Sequence, residues 1–299
     1  MVSFDEIKKL IKGDVVSDDQ SLISYSNDAS IFKIRPSVIV FPKDVEDIRC
    51  LVKFVTQNNG LSLTPRSGGT DMSGGAINDS IILDMTRYFN QIISINNDST
   101  TVQPGVFYRD FEKETLKQNL IMPSYPASRE ICTVGGMVAN NAGGEKTLFY
   151  GQTKKFVQKL NMILADGNEY VIKQLTQKEL QTKIAQDNFE GQFYKKIWQL
   201  INSNSELIQK AKPKVHKNSS GYFLWDILSE DGFDLTKLFT GSQGTLGIIS
   251  EITFKLIKPK PFAALLVIDL YDLNNLDKIV AQVLKFQPES FECFDDETV

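Results

Sequence analysis

The sequence is poor in residues that ligate metals or form cross-links. It contains three cysteines, Cys50, Cys132 and Cys293, and one histidine, His216. The cysteines are far apart and odd in number, and none has C-x-x-C spacing, which argues against a zinc site or a disulfide framework. We therefore expect no metal site.

Two further absences narrow the class of protein. With 33 Lys and Arg against 37 Asp and Glu, the chain lacks the basic excess of a nucleic-acid-binding protein, and the short basic cluster at 212–218 is interpreted as a solvated loop. No apolar run approaches the roughly 18 residues of a membrane span, and the first residues lack a signal-peptide core. We expect a cytoplasmic protein, with a peripheral membrane contact left open.

The length of 299 residues is enough for two domains. The segment order 37–42, 43–60 and 61–65 predicts a β-α-β unit with parallel strands. Residues 120–151 are expected to be irregular, and residues 159–173 to form a β-hairpin that turns at Asp166-Gly167. Apolar spacing predicts further helices at 4–12, 107–119, 177–211 and 275–287, and further strands at 80–85, 91–96, 100–105, within 239–259 and at 262–272.

Three glycine-rich loops lie beside strand-like segments: PRSGGTDMSGGA (65–76), CTVGGMVANNAGG (132–144) and FTGSQGTLG (239–247). Glycine permits positive φ and close approach of another group to the backbone. Successive exposed N–H groups bind anions, and Arg66 adds a donor fork. A pyrophosphate meets these requirements, whereas turns with a purely steric role are the alternative.

Two common nucleotide motifs are missing from these loops. The pattern G-x-x-x-x-G-K-[ST] is absent because Gly75-Ala76 follows Gly74, and G-x-G-x-x-G is absent as well. The first loop also leads into a strand, not into a helix. The sequence therefore predicts neither a P-loop site nor a Rossmann site.

Four ordered segments resemble the FAD-linked oxidase family, of the p-cresol methylhydroxylase / vanillyl-alcohol oxidase type. They are PRSGGTDMSGGAINDSIILDM, PASREICTVGGMVANNAGG, KNSSGY and FTGSQGTLGIISEITF. The D-lactate, glycolate and D-2-hydroxyglutarate dehydrogenase branch is the most similar in appearance, and the resemblance runs from about residue 20 to about residue 260. It implies an α+β, two-lobed FAD-binding domain with lobes at 1–90 and 91–260. Residues 261–299 then look like the beginning of a truncated cap domain.

The resemblance also implies the residues that bind the cofactor. These are Arg66, Ser67, Gly68, Gly69, Thr70, Asp71, Ser73, Pro126, Ser128, Thr133, Gly135, Gly136, Ala139, Asn140, Gly143, Gly144, Gly244, Ile248 and Ile249. Side-chain capping of the loop is the alternative for Asn140 and its neighbour Asn141. Tyr125 and Arg129 are candidates for lining a substrate cavity.

FAD is expected to be bound noncovalently. Some members of the family carry a histidine in the first glycine loop that bonds covalently to the flavin, and Thr70, which stands there in this chain, cannot form that bond. Cys132 is the other nearby nucleophile, and we interpret it as a buried core cysteine.

The resemblance implies oxidation of a small 2-hydroxy acid by hydride transfer to flavin N5. That reaction needs a base and a cation for the carboxylate. His216 is the one candidate histidine base, but its lysine-rich loop favours a solvated side chain. The catalytic residues are expected C-terminal to Val299, so little turnover is expected from this chain alone.

Two alternatives to this function remain open from the sequence. The first is a noncatalytic FAD-binding subunit, completed by a partner chain, or an electron-transfer partner. For the assembly, a homodimer is left open. The FAD-dependent enolpyruvyl reductases of cell-wall synthesis share the cofactor fold, but the segment GSQGTLGIISEITF resembles the hydroxy-acid branch more.

Overall fold

The computed structural model describes residues 4–215 and 217–295, which fold around two β-sheets. In chain order the strands are β1 (Asp14–Val16), β2 (Val38–Phe41), β3 (Leu63–Arg66), β4 (Ile81–Asp84), β5 (Ile92–Ile95), β6 (Ser99–Val102), β7 (Val157–Ile163), β8 (Glu169–Leu175), β9 (Leu228–Ser229), β10 (Gly232–Asp234) and β11 (Ile248–Lys255).

Helices cover both sheets. They are α1 (Phe4–Leu10), α2 (Asp19–Ser24), α3 (Val45–Gln57), α4 (Tyr108–Leu116), α5 (Val134–Ala139), α6 (Thr147–Tyr150), α7 (Gln177–Ile184), α8 (Phe189–Ser203), α9 (Ser205–Ala211), α10 (Thr236–Phe239) and α11 (Leu276–Val283), with short 3-10 turns at Thr153–Lys155, Leu224–Asp226 and Leu284–Phe286. None of the helices in the described ranges is long and apolar enough to cross a membrane.

The first sheet has four strands in the order β1-β2-β4-β3. Strands β2 and β3 both pair in parallel with β4, and β1 adds to the edge in antiparallel orientation. The predicted β-α-β unit is confirmed, with β4 inserted between its two strands. Strands β2 and β4 are buried along their whole length, which explains their continuous apolar sequence, since helices cover both faces.

The second sheet has seven strands in the order β5-β6-β11-β7-β8-β10-β9, and its pairs are all antiparallel. The predicted hairpin is confirmed as β7–β8, with Asn168 donating to the Asp166 carboxylate at its turn. The predicted helical stretch at 177–211 is confirmed as α7 to α9. The α+β fold expected from the sequence is therefore confirmed.

The two sheets share a hydrophobic cluster. Ile163 of β7 and Ile248 of β11 pack into the cluster that also holds Ile48 and Leu51 of α3. Arg49, on the same helix, donates to the Gly167 carbonyl at 3.1 Å and to the Asn168 Oδ1 atom at 3.0 Å. Helix α3 therefore docks the first sheet on the β7–β8 hairpin.

Two predictions of local structure were wrong. Residues 262–272 lie in no strand of the described residues, and their apolar side chains are exposed, Leu265 to 89%. A segment that pairs with no neighbouring strand lacks the ladder hydrogen bonds of a sheet. The region 120–151, expected to be irregular, contains α5 and α6. The low helix propensity of Gly135 and Gly136 concealed α5.

Candidate functional site

A cavity of about 1010 Å³ lies between the two sheets and takes its wall from the three glycine-rich loops and from residues 217–222. This volume is at the upper end of the range for small-molecule sites, as a dinucleotide requires. The predicted cofactor-binding residues on its wall are Arg66, Ser67, Gly68, Gly69, Thr70, Asp71, Ser73, Pro126, Ser128, Gly135, Gly136, Ala139, Asn140, Gly143, Gly244 and Ile249.

Three residues predicted with them lie behind the wall. Thr133 is buried, and its Oγ1 atom caps α5 by accepting from the Gly136 N–H at 3.4 Å. Gly144 donates its N–H to the Thr147 Oγ1 atom at 2.8 Å. Ile248 is 5% exposed and packs in the cluster shared by the two sheets. These three residues support the loops that form the wall.

The first glycine loop presents a run of unpaired main-chain donors. Within residues 4–215 and 217–295, the N–H groups of residues 67–72 donate to no protein acceptor. The Asp71 carboxylate organises the loop by accepting from the Ser73 N–H at 3.0 Å and from the Gly75 N–H at 2.7 Å. A concave run of free N–H groups is an anion-binding geometry.

Glycine is required at two positions of this loop. Gly69 has φ +65°, and a Cβ atom there would lie 2.6 Å from the Arg66 Nη2 atom. A Cβ atom at Gly68 would lie 2.7 Å from the Ile131 carbonyl oxygen. A side chain at Gly68 would therefore separate the first loop from the second, and a side chain at Gly69 would displace the guanidinium of Arg66.

Arg66 braces the loop through main-chain carbonyls. Its Nη2 atom donates to the Asn27 oxygen at 2.8 Å, and its Nη1 atom faces the carbonyls of Ala76 at 3.3 Å and Tyr25 at 3.4 Å. The guanidinium also lies 5.0 Å from the centre of the Tyr25 ring. Burial lowers the pKa of Arg66 from its ordinary value, an effect that Tyr25 and Asp84 oppose.

Thr70 and Cys132 are both on the cavity wall. Cys132 is 3% exposed and belongs to the core cluster of the second sheet, in accordance with the interpretation from the sequence. Burial raises the pKa of its thiol to about 11. The thiol is therefore protonated at neutral pH and is a weak nucleophile.

Tyr125 and Arg129, the candidate substrate residues, are not among the wall residues of this cavity. The Tyr125 hydroxyl donates to the Glu145 Oε1 atom at 2.7 Å, and Arg129 forms a 2.8 Å ion pair with Glu112. Burial raises the pKa of Tyr125. Both side chains are paired with neighbouring carboxylates, so a substrate role for them stays a prediction. His216 lies outside the described residues.

Sequence reasoning did not select several residues that the structure places on the wall. Those with polar side chains are Lys217, Ser219, Ser220, Tyr222, Ser242, Gln243 and Thr245. The first four belong to the KNSSGY segment, whose place in the family's motif order was the available signal. Asn141, for which loop capping was the alternative, is fully buried, and its Oδ1 atom accepts from the Lys154 N–H at 3.0 Å.

Comparison with known families agrees with this geometry. Residues 36–173 match the family described as FAD binding domain. That stretch includes the first two glycine-rich loops of the cavity. Residues 36–173 therefore form an FAD-binding domain of the FAD-linked oxidase type, and the cofactor of this domain is FAD.

Among curated proteins, the chain is similar to dehydrogenases and oxidases of 2-hydroxy acids. It is 32% identical to D-2-hydroxyglutarate dehydrogenase of Escherichia coli (strain K12), over 80% of this chain and 24% of that protein. It is 28% identical to D-lactate dehydrogenase of Anaerostipes hadrus, over 99% and 52%. Glycolate oxidase subunit GlcD of Bacillus subtilis (strain 168) is 27% identical, over 100% and 55%.

The chain therefore spans between about a quarter and about half of the length of these relatives. Among solved structures, alkyldihydroxyacetonephosphate synthase superimposes with a TM-score of 0.59 at 19% identity, over 85% of this chain and 40% of that one. This last similarity is one of fold.

Proposed function

We propose that the chain binds FAD noncovalently in the 1010 Å³ cavity, with the cofactor diphosphate against residues 67–72. The observation that carries this proposal is the run of main-chain N–H groups that have no acceptor among the described residues. Each charge-assisted hydrogen bond to such a group contributes about 1.5–3 kcal/mol, so a few of them hold a dinucleotide firmly.

The chemistry of the wall supports noncovalent binding. Thr70 has a hydroxyl with no basic partner among the described hydrogen bonds, and the Cys132 thiol has its pKa raised to about 11 by burial. Neither group is a strong nucleophile at neutral pH. We therefore expect the flavin to leave the protein when the chain is denatured.

We further propose that the FAD-loaded protein dehydrogenates a small 2-hydroxy acid, the class named in its relatives. When bound, the flavin supplies the acceptor for the hydride of the substrate. The residues of this chain orient the cofactor and shield it from water with apolar side chains such as Met85, Met137 and Ile249. Asp71 does not serve as the base, since its carboxylate is bound to Ser73 and Gly75.

Anaerobic reduction of the bound flavin tests this proposal. The chain is loaded with FAD and mixed with D-2-hydroxyglutarate, D-lactate or glycolate, and the visible absorption band of the oxidised flavin is followed until it no longer changes. We expect one acid to bleach the flavin slowly, in keeping with the little turnover expected from this chain alone, and its L-enantiomer, where one exists, to do so more slowly still. Stoichiometric reduction suffices, so sustained turnover is not needed.

The other outcomes separate the two parts of the proposal. A chain that holds FAD but is bleached by none of the three acids contradicts the dehydrogenase and favours the noncatalytic FAD-binding subunit. A chain that does not bind FAD contradicts the cofactor site itself.

A further inference from the structure

The loop at residues 217–222, here called the clamp loop, forms a fourth wall of the cavity beside the three glycine-rich loops. Lys217, Ser219, Ser220, Gly221 and Tyr222 all line it. At one end of the clamp loop, the Tyr222 hydroxyl lies 2.8 Å from the Thr245 Oγ1 atom of the third glycine loop. The clamp loop is therefore attached to a neighbouring wall at this end.

Gln152 attaches the other end. Its Nε2 atom donates to the Asn141 carbonyl at 2.8 Å and to the Ser219 Oγ atom at 2.9 Å. Its Oε1 atom accepts from the Asn218 N–H at 3.1 Å. Gln152 is buried, so both of its polar atoms are satisfied in the interior by the segments that they join.

Asn141 extends this network from the second glycine loop. It adopts φ +46° and is fully buried, and its Nδ2 atom donates to the Asn218 carbonyl at 3.4 Å. Its own Oδ1 atom accepts from the Lys154 N–H. Few non-glycine residues adopt this backbone conformation, and those that do are usually held by their surroundings. Asn141 and Gln152 therefore fix the clamp loop against the second glycine loop.

The two cations on the cavity wall differ in whether protein groups already bind them. Arg66 and Lys217 are the cations among the described wall residues. The guanidinium of Arg66 faces three main-chain carbonyls. Lys217 forms no ion pair or hydrogen bond through its ammonium within the described ranges. Among the described residues it is therefore the wall cation that has no partner.

We propose that the clamp loop binds an anionic oxygen group through Lys217, with Gln152 as the positioning residue that holds the clamp loop in place. This inference rests on the proposed FAD site. The anion is either a phosphate of FAD or the carboxylate of a bound acid, two groups that a lysine ammonium recognises in the same way. The clamp loop thereby adds a side-chain cation to the main-chain donors of residues 67–72.

The charge of Lys217 is tested with Lys217→Gln and with Lys217→Arg, which keeps the charge. Dissociation constants of FAD and riboflavin are measured by flavin fluorescence, and oxalate binding by the change in the flavin spectrum. If the anion is a phosphate, Lys217→Gln weakens FAD binding about 10-fold or more, as loss of one charge-assisted bond predicts, and leaves riboflavin binding unchanged. If it is a carboxylate, oxalate binding falls instead. Lys217→Arg restores most of either loss.

The positioning role of Gln152 is tested with Gln152→Ala against Gln181→Ala, a matched change at an exposed position on α7. We expect Gln152→Ala to speed trypsin cleavage after Lys217 and to weaken binding of the same anion. In a double-mutant cycle, Gln152→Ala should cost little further affinity once Lys217→Gln is present, because the two act through one contact. Full additivity would assign Gln152 a merely structural role and overturn that part of the proposal.

The remaining outcomes distinguish this inference from the function on which it rests. A wild-type chain that does not bind FAD overturns both. A wild-type chain that binds FAD, with unchanged FAD and oxalate binding in Lys217→Gln, overturns the anion clamp and leaves the FAD site intact.

Discussion

In the first glycine loop, the charged side chains of Arg66 and Asp71 hold the backbone in place, and the backbone faces the cavity. Asp71 accepts from Ser73 and Gly75, and Arg66 donates to carbonyls outside the loop. A carboxylate close to the cofactor would repel the diphosphate. The Asp71 carboxylate instead accepts hydrogen bonds from N–H groups of its own loop. The side chains thus prepare the loop, and its free N–H groups remain for the ligand.

We expect Gly69→Ala to weaken FAD binding by about 10-fold or more. Alanine at φ +65° is strained by about 1–2 kcal/mol, and its Cβ atom would displace the guanidinium of Arg66. Gly60→Ala is the matched control, because Gly60 has φ +87° with nothing within 4 Å of a Cβ atom. The control should lose stability to a similar degree and keep its FAD affinity. Equal losses of FAD affinity in both variants would contradict the role of this loop in FAD binding.

Cys132 should resist alkylation at neutral pH. With a thiol pKa of about 11, its thiolate fraction at pH 7 is roughly one in ten thousand, and it grows about tenfold for each unit of pH. Iodoacetamide labelling followed by peptide mass mapping should modify the exposed Cys293 first, and Cys132 only as the pH rises. Addition of FAD should slow labelling of Cys132 further. Rapid labelling of Cys132 at pH 7 would contradict its burial.

At the scale of elements, Ile248 and Ile249 of β11 were both predicted to bind the cofactor, but they lie on opposite faces of the strand. Successive residues of a strand point to opposite faces. In β11, Ile249 faces the cavity, and Ile248 faces the cluster between the sheets. The alternation of side chains along a strand implies that only one of the two residues can face a ligand, but it does not identify which one.

The pair Ile248→Ala and Ile249→Ala tests this division. We expect Ile248→Ala to lower the free energy of unfolding by about 2–5 kcal/mol, as for other large-to-small changes in a core. Ile249→Ala should cost less stability and weaken FAD binding more. The measurements are urea unfolding of the FAD-free chain and FAD titration. If Ile249→Ala proves the more destabilising of the two, the assignment of the faces is wrong.

Elements with local signals were predictable from the sequence, and elements that depend on distant partners were not. Apolar spacing located α3, the β7–β8 hairpin and α7 to α9, because burial of one face leaves a pattern along the chain. The insertion of β4 between β2 and β3 has no such pattern, since it is a matter of pairing. Helix α5 was hidden by its glycines, although Thr133 is a normal cap residue.

The candidate site divides in the same way. The glycine loops could be recognised in the sequence because glycine pairs are rare and their order is distinctive. The attachment of the clamp loop to Gln152 could not, because the hydrogen bond from Gln152 to Ser219 joins residues 67 positions apart in the chain. Sequence spacing carries no information on such a contact.

At the scale of the whole molecule, α3 joins the two sheets, while the side chains of residues 262–273 are exposed. Phe262, Leu265 and Leu266 are at least 73% exposed, and exposed apolar groups of this kind favour association. We expect light scattering to show self-association as the concentration of the chain rises.

The variant Leu265→Glu/Leu266→Glu should abolish that association, while Ile31→Glu, which introduces a charge at an exposed isoleucine outside this segment, should not. Association that persists in the double variant would mean that another surface is responsible.

The central claim is that the glycine loops hold FAD without a covalent bond, and the visible absorption spectrum of the purified chain tests it most directly. The spectrum is recorded after saturation with FAD and removal of the excess, and again after heat denaturation and filtration. We predict a flavin band on the native protein and its full recovery in the filtrate. A protein that stays colourless, or a flavin that stays with the denatured chain, would contradict the account.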